Sequence, residues 1–186
     1  MRLYYTSSTL NTPQTKPSLS LGGYKAVSPI PNDQFGNLFG DISMYTVKNA
    51  VDQHYIGLIL VNEKAAASSV YLWFEHPEGA YSKMRVAAVD LLVDPEGNQY
   101  MEQIPAYTSK PLYAEFHEAN GEANKVDLGP IPAGGAIALW INRELNLEVI
   151  KEEQGKIFEP NPLQTYIFQE IELAKEDSIA MVLDWI

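Results

Sequence analysis

The chain has 186 residues, 46% of them hydrophobic and 11% aromatic, which suits one domain able to bury about two-thirds of its extended-chain surface. Its 24 acidic and 13 basic residues leave a formal charge of −11, so a phosphate-tracking surface is disfavoured and no nucleic-acid partner is expected. The absence of cysteine removes disulfides, thiolate metal sites and cysteine nucleophiles.

The N-terminal MRLYYTSSTLN lacks the apolar core of a signal peptide, and no stretch reaches the ~20 apolar residues of a membrane helix. No membrane partner is expected, and synthesis in a cytoplasm is. Residues 1–40 read as an extended arm. TSSTLNTPQTKPSLSLGGYKAVSPIPNDQFGN holds Pro13, Pro17, Pro29 and Pro31, the Gly22–Gly23 pair and many Ser, Thr and Asn, a composition of turns and extended backbone. Leu19, Leu21, Tyr24, Val27, Ile30, Phe35, Leu38 and Phe39 give it enough apolar side chains to lie along a surface rather than stay free. Such an arm would be separable from the domain formed by residues 41–186.

Strand signals follow. HYIGLILVN (54–62), SVYLWFEH (69–76) and MRVAAVDLLVD (84–94) are rich in β-branched and aromatic residues and are punctuated by His76-Pro77-Glu78-Gly79 and Asp94-Pro95-Glu96-Gly97. LYAEFHEA (112–119), VDL (126–128), AIALWINREL (136–145), TYIFQEIEL (165–173) and SIAMVLDWI (178–186) extend the series, and the charged 151–162 segment KEEQGKIFEPNP is a loop. Eight short strands without an amphipathic helix predict an all-β fold, an antiparallel β-sandwich or jelly roll carrying the N-terminal arm.

Alternation assigns faces. Val70, Leu72 and Phe74 oppose Tyr71, Trp73 and Glu75; Ile137, Leu139 and Ile141 oppose Ala138, Trp140 and Asn142. The first set of each strand is core. The second places Trp73 and Trp140 on a face to be covered by the arm, a loop, a neighbouring subunit or a second core layer.

No residues select a catalytic, cofactor or metal site. His54, His76 and His117 lack a close second ligand and read as ordinary surface histidines. In EANGEANKVD, Asn120-Gly121 is a hairpin-turn dipeptide, a better match than an oxygen-rich calcium loop. Asp90 and Glu115 interrupt apolar runs, which a solvent-facing strand position explains. A carboxylate pair for glycoside hydrolysis is defined by the fold and not by spacing in sequence.

NLFGDIS, the strands YIGLILVN and VYLWFE, and then VDLGPIPAGGAIALWINREL together resemble small virion structural proteins of tailed bacteriophages. There, N-L-F-x-D-I precedes the sandwich and L-G-x-I-x-x-G-x-x-x-A-L-W-h-x-R forms a late strand; Leu128, Gly129, Ile131, Gly134, Ala138, Leu139, Trp140 and Arg143 match it. The resemblance spans residues 21–145 and leaves 146–186 unmatched. It implies a non-enzymatic subunit at the neck, tail, baseplate or capsid surface, assembled in a host cytoplasm, without cofactors. Its partners would be copies of itself and other virion proteins. The residues expected at contacts are Leu21, Tyr24, Phe35, Phe39, Trp73, Trp140 and Arg143. The alternative is a carbohydrate- or receptor-binding module in which Trp73, Trp140, Tyr71 and Tyr113 stack on a glycan.

Overall fold

Segments of period-2 patterning become strands in the computed structural model, which describes residues 1–31, 38–39, 52–75, 82–148 and 180–185. Phe35, His76 and the 165–173 strand lie outside the described residues. Two sheets form. The larger contains β1 (Arg2–Ser7), β2 (Gly23–Lys25), β3 (Gln53–Val61), β5 (Ser82–Val89), β6 (Leu92–Val93), β7 (Gln99–Met101), β8 (His117–Glu118) and β10 (Ala136–Leu145). The smaller contains β4 (Val70–Glu75), β9 (Val126–Asp127) and β11 (Ala180–Trp185). Every pairing between these strands is antiparallel, and the fold is all-β.

The large sheet is ordered β6-β7-β2-β1-β3-β10-β5-β8. Its spine is the β3–β10 ladder, from Val61 opposite Ala136 to Gln53 opposite Glu144. Strands β5 and β6 stand six places apart in this order, yet Val89 and Leu92 are three residues apart in the chain and so at most about 11 Å apart. The sheet must therefore curl until its first and seventh strands nearly meet. Its two faces bury different layers.

One layer lies between the sheets. Leu3 and Tyr5 from β1, Ile56, Leu58 and Leu60 from β3, Met84 and Val86 from β5, and Leu139 and Ile141 from β10 meet Val70, Leu72 and Phe74 from β4. The aliphatic faces read from the alternation are this layer. Inside the curl, Tyr55, Ile59, Ala87, Met101, Ile104, Ala138 and Trp140 form a second layer, closed over by Leu21, Leu91, Ala114 and Phe116. Trp140 is wholly buried there and Trp73 is 7% exposed. Neither indole N–H finds an acceptor among the described residues.

Residues 1–31 are not the expected arm. β1 is an interior strand, pairing with β3 from Arg2–Val61 to Tyr5–Leu58 and with β2 at Thr6–Lys25 and Ser7–Tyr24. Beyond Leu58 its backbone ladder with β3 ends, and the segment at Ser20 takes its place: Gly57 N–H donates to Ser20 O at 2.7 Å. Thr6 and Ser20 satisfy the polar groups at this crossing, where Gly22 N–H donates to Thr6 Oγ1 at 2.9 Å and the Ser20 hydroxyl donates to Gly57 O. A side chain at Gly22 would place its Cβ 1.8 Å from Glu102 O, and its φ of +88° is left-handed. The glycine pair is thus a point where three chain segments touch.

Three further expectations change. The single strand over 84–94 breaks at Asp90 and Leu91, so that β6 can join the opposite edge of the sheet. In 112–119, strand is confined to His117–Glu118; Leu112 N–H donates instead to Glu102 Oε1 at 3.0 Å. Asn120-Gly121 does not close a hairpin. β8 pairs with β5 and β9 with β4, so this turn carries the chain from one sheet to the other.

Asn62, at the end of β3, joins distant loops. Its Nδ2 donates to Ala65 O at 2.8 Å and Ile131 O at 2.9 Å, while its Oδ1 accepts from Lys64 N–H at 3.1 Å. This buried amide fixes the proline-rich turn that leads through Gly134 into β10.

Candidate functional site

The expected contact residues divide into interior and half-buried positions. Trp73, Trp140 and Arg143 are buried, which corrects their expected place at contacts with other subunits; of the covers left open for the tryptophans, Trp140 takes a second core layer of the same chain, inside the curl. Leu21 is half-buried against the inner layer. Tyr24 lies 5.7 Å from the Tyr100 ring, and its hydroxyl donates to Asp94 Oδ2 at 3.0 Å, a bond that raises its pKa. Phe39 is half-buried and packs on the inter-sheet core. Phe35 lies outside the described residues.

Phe39 and Arg143 do meet, at the Gln53–Glu144 end of the central ladder. The Arg143 guanidinium lies 5.0 Å from the Phe39 ring centroid, within cation–π range. His54, opposite Arg143 in the ladder, is 2% exposed and not a surface histidine. Its ring lies 5.0 Å from that of Tyr107. Arg143 Nη2 stands 3.1 Å from His54 Nδ1; a guanidinium only donates, so Nδ1 accepts and the neutral ring carries its proton on Nε2. Burial first, and the Arg143 charge second, lower the His54 pKa from 6.5 to about 4.

That shift has a sign in stability. The folded pKa lies below the unfolded one, so the contribution of neutral His54 is complete above pH 6.5 and is lost as pH falls through about 4. It amounts to about 3 kcal/mol over the window. His54→Gln keeps an acceptor for Arg143 and does not titrate. Its urea midpoint is expected to fall less than that of the parent between about pH 7 and about pH 4.5. Equal losses would assign the acid sensitivity to other groups.

The other end of the ladder, about 27 Å away at ~3.4 Å per residue pair, is where the curl opens. Two clefts of about 430 Å³ each flank Leu91 and Leu92. Leu10, Lys25, Val27, Ile59, Leu91 and Ala136 are among the residues lining one. Ala88, Val89, Asp90, Leu92, Glu102, Tyr113 and Ile137 line the other. Tyr113, which lines the second cleft with Leu92, is 85% exposed, and their chain neighbours Leu112 and Val93 are 80% and 62% exposed.

This rim is the candidate functional surface. Asp90 and Tyr113 had drawn attention singly in the sequence; the cleft unites them with Glu102 and Leu92 because the β5–β6 connection and the 102–116 crossing meet at the mouth of the curl. The legible signal was the polar break at Asp90 in an otherwise apolar run. Glu115 and His117 are exposed, and the described residues contain no group of three or more His, Cys, Asp or Glu side chains able to hold a metal. No described helix is long and apolar enough to cross a membrane. The arrangement offers apolar contact, one aromatic face and carboxylate acceptors. Comparison with protein-family models, characterised proteins and solved structures returns no match for this chain.

Proposed function

We propose that this chain is a non-enzymatic structural subunit of a tailed-bacteriophage virion, acting through contacts with copies of itself and with other virion proteins. The observation that carries this reading is the exposure of Leu92 and Tyr113 at one cleft, with their chain neighbours Val93 and Leu112 also open to solvent, on a fold that buries Trp73 and Trp140. Large apolar side chains open to water favour association, because covering them removes apolar area from water. The residues that carry the resemblance to virion proteins have structural roles. Gly129 and Gly134 adopt left-handed turns, Leu139 and Trp140 fill the two core layers, and Arg143 holds His54.

A carbohydrate-binding module is the second reading, and the geometry weakens it. Of its four aromatics, Trp73 and Trp140 are buried and Tyr71 lies half-buried under the Lys125 ammonium, which leaves Tyr113 open. The test is purification of virions from a phage encoding this chain. The chain is expected to band with the particles, and Val93→Ser/Tyr113→Ser is expected to reduce its incorporation about tenfold while leaving its circular dichroism unchanged. Absence of the parent chain from the particles overturns the assignment.

A further inference from the structure

We propose that the cleft between the β5–β6 connection and Tyr113 is a receptor for a cationic side chain, an arginine or lysine presented by a neighbouring protein of the assembly. The inference rests on the structural-subunit reading and names the chemistry of the partner.

Two carboxylates, Asp90 and Glu102, are among the side chains lining the cleft, and its described lining contains no Lys, Arg or His. Glu102 is held in place, since its Oε1 accepts the Leu112 N–H at 3.0 Å. Its second oxygen is spare acceptor capacity on a fixed carboxylate. Leu92 and Ile137 supply apolar wall, and the face of Tyr113, 85% exposed, stands at the entrance.

An arginine satisfies each of these features at once. Its methylenes lie against the apolar wall, its guanidinium donates to carboxylates, and its planar face stacks on a tyrosine ring. A second copy of this chain is a poorer source, because two bodies of charge −11 repel at long range, whereas a basic partner is drawn in. A neutral glycan would use the Tyr113 face but gain no charge-assisted attraction from the two carboxylates. Charge complementarity therefore selects a cation-bearing protein segment.

The probe is the dipeptide acetyl-Leu-Arg-amide, titrated into the full chain and followed by amide correlation spectra, with acetyl-Leu-Gln-amide and maltohexaose as comparisons. The arginine peptide is expected to give saturable shifts at Asp90, Leu92, Glu102 and Tyr113. The glutamine peptide is expected to bind at least about tenfold more weakly, as is the arginine peptide to Asp90→Asn/Glu102→Gln. The Gln side chain at position 102 retains an acceptor for Leu112, and unchanged spectra elsewhere establish that the variant is folded. Equal binding of both peptides, no binding of the arginine peptide, or undiminished binding to the variant overturns the proposal. So does preferential binding of maltohexaose at these residues, which would assign the cleft to glycans. Virion incorporation without arginine binding would refute this proposal alone; arginine binding by a chain absent from virions would refute the subunit reading.

Discussion

Removal of residues 1–31 is expected to abolish cooperative folding of the remaining chain. The deletion takes β1 and β2 out of the middle of the large sheet and leaves the β3 edge without its Arg2–Tyr5 partner. It also strips Leu3, Tyr5 and Ile30 from the inter-sheet core and Leu21 from the inner layer. Burial of three large side chains of this kind contributes about 5 to 9 kcal/mol. The total stability of a domain is typically about 5 to 15 kcal/mol, so the loss is comparable with the whole. The ladder hydrogen bonds between β1 and β3 would be lost as well. A truncated protein that gives a sigmoidal urea transition and resists proteolysis like the parent would restore the separable arm.

Trp140→Ala is expected to cost about 3 to 5 kcal/mol, the range for removing a buried aromatic from a packed core. The same change at Tyr113 is expected to lie within about 0.5 kcal/mol of the parent, because that side chain is 85% exposed. Trp140→Phe should fall between them. It leaves a smaller void, and it removes an indole N–H that has no acceptor among the described residues, a burial that itself carries a cost. Urea midpoints at constant m-value distinguish the three. If Trp140→Ala unfolds at the parent's midpoint, the inner layer is not a core, and an intermolecular role for the indole becomes the better account.

The strand AIALWINREL was legible in sequence to the residue, because ten positions of alternating pattern between a Gly-Gly turn and Asn146 admit little else. Val70, Leu72 and Phe74 were assigned to the core face for the same reason. β1 was not, because RLYYTS is short and the proline-rich segment after it sets the composition of the whole region. Its assignment depends on a partner more than 50 residues away, at Leu58 to Val61. What covers Trp140 was equally inaccessible. The cover comes from sheet curl and from the irregular 102–116 crossing, neither of which has a period to read. His54 shows the same limit, for its burial and its contact with Arg143 arise from cross-strand register. The candidate cleft was visible only as scattered residues, since Asp90, Glu102 and Tyr113 acquire a common site through the crossing of loops.

The position of β3 between β1 and β10 also sets a timetable for synthesis. β1 can pair with β3 once residue 61 is available, but the other edge of β3 waits for residues 136–145. At about 5 to 20 residues per second, translation from 61 to 145 takes roughly 4 to 17 s. For that interval the Ile56–Leu60 stretch presents an open edge flanked by apolar side chains, a template for pairing with another nascent chain. Slowing elongation between these strands would lengthen the exposure and lower the yield of soluble protein, even though the sequence and the finished fold are unchanged.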